Sequence, residues 1–171
     1  MTINNLKNYY FSLAVKGDGK AAFEVAKILY NDNANPVLIQ TQLRRAAENG
    51  CTLANQWLGL LGIKGKLLKE ESTTESHIFH KDGSVAIAWL EAGAEDGDNV
   101  CKYILAKCYQ LGIAVSQDVE KGDKMLNSID YDSISEECIF SIMFILDSVK
   151  YNSIELDTVK EKETVYKLLA G

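Results

Sequence analysis

The sequence predicts an all-α fold, a short right-handed α-solenoid of stacked antiparallel helical hairpins. Three observations predict it. The pattern Gly-x3-(Ala/Cys)-x3-(Leu/Val)-(Gly/Ala) begins at Gly17, Gly50 and Gly97, so the copies start 33 and 47 residues apart. A fourth, faded copy starts at Cys138, 37 residues after Cys101. Periods of roughly 34–40 residues are those of paired-helix repeats, and no stretch alternates apolar and polar as a strand would.

Each element has a local cause. The glycine after "AAEN" or "GAED" ends a helix, because only glycine enters the left-handed C-terminal position without penalty. The next helix starts two or three residues later, so the two must fold back on each other. Small residues at 21, 54 and 101, and at 26, 59 and 106, share one helical face and let neighbours approach closely, with Ala47 and Ala94 opposite. Leu58 and Leu105 fill the space between. Asn35 before Pro36 reads as an N-cap with proline at the first helical position. Thr52, Ser84 and Asp118 are further cap candidates, Ser133-x-x-Glu136 reads as a capping box, and Thr158-x-x-Glu161 starts a last helix. About nine helices result: 3–16, 19–30, 36–48, 52–63, 84–95, 98–111, 118–129, 134–148 and 157–169. They divide one domain, 1–171, into an N-terminal capping helix (1–16), three clear repeats (17–126) with an inserted loop (66–84), and a degenerate repeat with a C-terminal cap (127–171).

Composition narrows the class. A chain of 171 residues, 47% hydrophobic and 25% charged, buries a core without disulfides or metals and is not disordered. No signal peptide opens it, and its longest apolar run, "CIFSIMFILDSV", stops short of a membrane span. Cys51, Cys101, Cys108 and Cys138 form no CxxC pair and read as reduced, packed thiols, which implies a cytoplasmic location. The net charge of −6 is uneven. Residues 1–50 carry six basic and four acidic side chains (+2), whereas 51–150 carry nine basic and sixteen acidic (−7). That balance argues against nucleic acid or an anionic membrane as partner and allows a basic protein.

With the repeats in place, the chain resembles a Sel-one-like repeat protein, a relative of the tetratricopeptide repeat. "TLANQWLGLLGIKG" (52–65) is similar to the first helix of such a repeat, with its Ala-x3-Leu-Gly step and turn glycine Gly65. "CKYILAKCYQLGIAVSQDVEKGDKML" (101–126) keeps Leu105, Tyr109, Gly112 and Val115-x-x-Asp118-x-Glu120-Lys121. "AIAWLEAGAEDGD" (86–98) is similar to the second helix, with Trp89 in the aromatic core position. The likeness covers residues 13–126. Ala106 and Ala114 stand where the family has glycines, and 66–84 inserts about a dozen residues into one hairpin turn.

Catalytic motifs are missing: no HExxH, GxSxG or P-loop occurs, and "GDGK" (17–20) reads as a helix–helix turn. His77 and His80 have only Glu75 near them, too little for a metal site. The expectation is a non-enzymatic binder that uses no cofactor or metal and is monomeric when free. The resemblance implies a concave face lined by helices 19–30, 52–63 and 98–111. Glu24, Trp57 and Ile104, and Lys27, Leu60 and Lys107, take matching outward positions in the three copies. Trp57 reads either as an interaction anchor or as core. Glu91, Asp96 and Asp98 supply an acidic face; the last two also sit where they offset a helix dipole. The more specific expectation is a bacterial immunity or inhibitor protein that occludes a basic toxin domain, as family resemblance allows. The alternative is a general adaptor. A hydrolase of the cysteine-rich β-lactamase-like kind is disfavoured, because its paired cysteines are absent.

Overall fold

The computed structural model describes residues 2–73 and 75–134. Seven α-helices follow one another: α1 (Ile3–Val15), α2 (Gly19–Asn31), α3 (Pro36–Glu48), α4 (Thr52–Ile63), α5 (Ser84–Glu95), α6 (Asn99–Leu111) and α7 (Val119–Asn127). A 3-10 turn, Tyr131–Ser133, comes after them. Each helix packs on the next in the chain, so α2–α3, α4–α5 and α6–α7 form stacked hairpins, with α1 against α2. This is the α-solenoid that the repeats predict. The expected helices at 134–148 and 157–169, and the copy at Cys138, lie outside the described residues.

The repeated glycine does the same thing three times. Gly17, Gly50 and Gly97 hold φ of 92°, 85° and 90°. In each copy the glycine N–H donates three residues back, and the following N–H donates five back: Asp18 to Leu13, Cys51 to Ala46 and Asp98 to Gly93. These are Schellman closures, and they satisfy carbonyls left open by the helix end. Ala114 sits at φ 59°, so the turn survives where the family's glycine is missing, at a steric cost of about 1 kcal/mol.

Helix starts follow two rules. Thr2, Asp18, Asn35, Asp98 and Asp118 each accept a backbone N–H of the first turn, and Pro36 opens α3. By contrast, α4 and α5 start from Cys51 and Gly83 with no side-chain cap bond. Thr52 and Ser84, expected as caps, are instead the first helical residues. For Ser84 the cause is visible: its N–H and hydroxyl both turn back to the Asp82 carboxylate, at 3.2 and 3.0 Å. Those two bonds hold Asp82 below the usual carboxylate range. α7 ends at Asn127 rather than at 129. Ser133 bonds Asn99 and the Asp130 carbonyl, while its capping-box partner Glu136 lies outside the described residues.

The interior forms two apolar clusters with α4 between them: Ala54, Trp57 and Leu58 pack toward α2 and α3, whereas Leu60 joins α5 and α6. Ala21, Ala26, Ala54, Cys101 and Ala106 are buried as their spacing implies, as are Leu58 and Leu105. Opposite them the register is one residue earlier than expected. Ala46 and Gly93 are fully covered, while Ala47 and Ala94 are half-buried. The closest approaches occur at helical glycines. A Cβ on Gly59 would overlap the Leu90 side chain, and one on Gly93 would overlap the Cys101 sulfur. One on Gly62 would strike Ala86, with that residue's Cα at only 3.0 Å.

In an exposed helix, replacing glycine by alanine stabilises by about 1 kcal/mol. Gly62→Ala should do the opposite here and lower stability by about 2 kcal/mol, because rigid backbone must move. A reduced urea midpoint with unchanged m-value checks this. A second expectation concerns Cys108, whose thiol burial pushes up to about 12 from 9.0. Between those values the unfolded chain binds fewer protons than the folded one, so stability is intact below about pH 9 and falls as pH rises. Relative to Cys108→Ala, the native chain should lose up to about 1.4 kcal/mol per pH unit above pH 9, measured by urea melts at several pH values.

Candidate functional site

Most of the expected contact residues are committed to the interior or to each other. Trp57, Leu60 and Lys107, expected to face outward, are 4%, 1% and 1% exposed. Trp57 makes edge-on contacts with Phe23 and Tyr30, both at 5.4 Å between ring centres, and so resolves as core. Lys107 donates to Gln110 at 3.3 Å, and Gln110 donates to Asp123 at 2.6 Å. Its stem is covered while its ammonium is kept in a polar chain. Ile104 is fully buried as well. The reason is common to all four: α4 buries every residue from Ala54 to Leu60, and α6 every residue from Tyr103 to Cys108, so neither has an outward stripe there.

Glu24 and Lys27 are half-buried and pair with each other at 2.8 Å, with Lys27 also over the Phe23 ring. Asp98 caps α6 through Cys101 N–H at 2.7 Å and accepts the buried Gln56 amide at 2.8 and 3.0 Å. Glu91 and Asp96 remain exposed. Lys121 lies over the Tyr109 ring at 3.9 Å; the Tyr109 hydroxyl and, to a lesser degree, Glu91 hold its ammonium above the usual lysine range.

The insertion builds what the first helices do not. Its two arms meet at one isolated bridge, Leu68 opposite Phe79, through Lys69 N–H to the Ile78 carbonyl (2.7 Å) and His80 N–H to the Leu67 carbonyl (2.9 Å). The result is a short hairpin laid against α3. Gln40 of α3, itself buried, clamps it at both polar groups of Leu68: the amide donates to the carbonyl at 2.6 Å, and the amide oxygen accepts the N–H at 2.6 Å. Arg44 donates to the same carbonyl at 3.1 Å. Leu67 and Leu68 are buried beneath. At its far end Gly83 presses on Ala114, so this end is fixed by packing too.

Between the hairpin, α3 and α5 lies an open groove of about 510 Å³. Its floor is Val85, Ala88, Trp89 and Ala92 of α5; Glu48 and Arg44 of α3 stand on one side, and Glu70, Glu71 and His80 of the hairpin on the other. Trp89, expected in the core, packs against the apolar cluster but is only half-buried, and it lines this groove. Glu48, Glu70 and Glu71 are exposed, and none is in an ion pair among the described residues. Sequence reasoning missed this site. The available signals were the insertion itself, the Glu70-Glu71 pair at its start, and Ala88 and Ala92 flanking Trp89 at helical spacing. Among the described residues no group of three His, Cys, Asp or Glu side chains is placed to hold a metal ion. No described helix is long and apolar enough to cross a membrane.

A stack of short antiparallel helical hairpins with Schellman turns defines the class, and solved structures place it more closely. A crystal structure of a Sel1 repeat protein from Oxalobacter formigenes superposes with a TM-score of 0.53 at 21% identity, over 96% of this chain and 99% of that one. A protective antigen present in uropathogenic Escherichia coli strains, displaying an SLR fold, gives a TM-score of 0.60 at 21% identity. The match spans 96% of this chain but only 33% of the antigen. No family model matches the sequence, and no curated protein does. The fold is therefore that of the Sel1-like repeats, as the resemblance in residues 13–126 implies.

Gln40→Ala should detach the hairpin without unfolding the stack. It leaves the Leu68 N–H unpaired at a cost of about 2 kcal/mol. Hydrogen exchange read by NMR should speed up at Leu68 and Lys69 and remain slow at the buried amides of α4.

Proposed function

We infer that this chain is a non-enzymatic, protein-binding repeat protein. Its more specific role is that of a cytoplasmic bacterial immunity or inhibitor protein that covers a basic toxin domain. The observation that carries this reading is the exposed acidic surface. Glu48, Glu70 and Glu71 border the groove, Glu91 and Glu95 follow on α5, and Asp96 follows at its end. Glu91 and Glu95 lie one helical turn apart, so both project from the same side of α5. Such a surface speeds association with a positively charged partner and repels nucleic acid.

The adaptor alternative draws on an apolar anchor at Trp57, and the burial of that ring within the Phe23–Tyr30 cluster leaves it without one. The inhibitor reading needs only the charged exterior, which is why we favour it.

A tagged chain incubated with lysate of its own organism should retain one basic protein at about 0.1 M salt. At about 1 M the charges are screened over a few ångströms and the partner should be lost. Equimolar addition of this chain should then suppress the purified partner's activity. Several partners that survive the high-salt wash, with no loss of their activity, would overturn the inhibitor reading in favour of an adaptor.

A further inference from the structure

We propose that the groove between α3, α5 and the 66–83 hairpin seats a basic side chain, arginine or lysine, from an extended segment of a protein partner. The inference rests on the reading of this chain as a binder of basic proteins, and it moves the contact from the first helices of the repeats to their second helices.

Three features of the groove fit one kind of group. Val85, Ala88 and Ala92 are small and apolar, which gives the methylene stem of a long basic side chain a floor on which to lie. Trp89 shares that floor and is half-buried, and an indole face attracts a cation within about 6 Å of its centre. Glu48, Glu70 and Glu71 flank the groove from two sides and are in no ion pair among the described residues. Their charge is available to a ligand.

Arg44 is the opposing charge in the lining, and its guanidinium is engaged with the Leu68 carbonyl at 3.1 Å. It helps to fix the wall, and the three carboxylates outnumber it. The walls come from separate parts of the chain held in place by the Gln40 clamp, so the groove exists before a partner arrives. That limits the ordering cost of binding. A side chain carried on a peptide suits the site better than a compact small cation, because the groove is open to solvent and of about 510 Å³, with carboxylates on two sides.

The test uses the full chain and tetra-arginine amide labelled at its N-terminus with carboxytetramethylrhodamine, whose own charges cancel, followed by fluorescence anisotropy. Tetra-glutamate serves as the control peptide. Tetra-arginine should bind, and the double variant Glu70→Gln/Glu71→Gln should weaken it about fivefold. Glu120→Gln/Asp132→Asn removes the same charge from exposed positions outside both the groove and the acidic surface and should change affinity less than twofold. Ala92→Phe fills the groove at an exposed position without altering charge and should weaken binding at least as much as the glutamate pair. Circular dichroism melts establish that each variant is folded.

Equal weakening by the two charge-neutralising pairs would mean diffuse attraction and overturn the groove assignment. Full affinity in Ala92→Phe would do the same. Spermine, which carries the same charge of about four, should displace the peptide poorly; displacement at equal concentration would overturn the peptide as occupant. A lysate partner that binds the Ala92→Phe chain normally removes the groove while leaving the inhibitor reading in place. Groove-dependent tetra-arginine binding with no basic partner recovered removes the inhibitor reading and leaves the groove.

Discussion

The rest of the structure depends on how closely α4, α5 and α6 approach one another. Gly59 faces Leu90, Gly62 faces Ala86 and Gly93 faces Cys101, and at each point there is no room for one more carbon. Dispersion forces gain from such contact because backbone meets side chain with no intervening layer. Only residues without a Cβ permit it. Gly59 and Gly62 fix how close the two helices of the α4–α5 hairpin lie, and Gly93 fixes how close that hairpin comes to α6 of the next, each by a hydrogen atom standing where a methyl group would.

Close packing of this kind decides where function can reside. A helix surrounded on all sides offers nothing to a partner, and α4 and α6 are nearly so over their central turns. Recognition is thereby displaced to the outer helices and to whatever is added to them. The insertion between α4 and α5 is such an addition. It does not disturb the repeat, because Leu67 and Leu68 are buried, Gln40 pairs both polar groups of Leu68, and Arg44 adds a second bond to its carbonyl. An extra dozen residues thus become a wall.

Much of this fold was legible in the sequence, for a definite reason. The turn glycines report a backbone requirement that few other residues meet, so Gly17, Gly50 and Gly97 mark the helix ends directly. Proline at 36, with Asn35 before it, and the aspartate at 118 are similarly tied to local geometry. Exposure was not legible. Helical periodicity says which residues share a face but not how many neighbours surround the helix, and so Leu60 and Lys107 were placed at outward positions and Trp57 was left between anchor and core. The hairpin was hidden too, since its bonds run between backbone atoms and a glutamine 28 positions away, with no local signature. Trp89 sits one residue before the fully buried Leu90, and a shift of that size on a helix turns a core ring into the floor of a groove.

Among the described helices, the two that lack a side-chain cap bond, α4 and α5, belong to one hairpin, the middle of the three described. Solenoids are commonly pictured as dominoes, each unit with its own intrinsic stability and a coupling to its neighbours. Here the middle domino has the weakest local start and the most extensive coupling, with α4 shared between both apolar clusters. Short helices nucleate poorly in isolation. The central hairpin therefore exists because its flanks do, and the flanks cannot persist without the surface it presents to them. Such an arrangement replaces stepwise fraying from the ends with a single all-or-none transition.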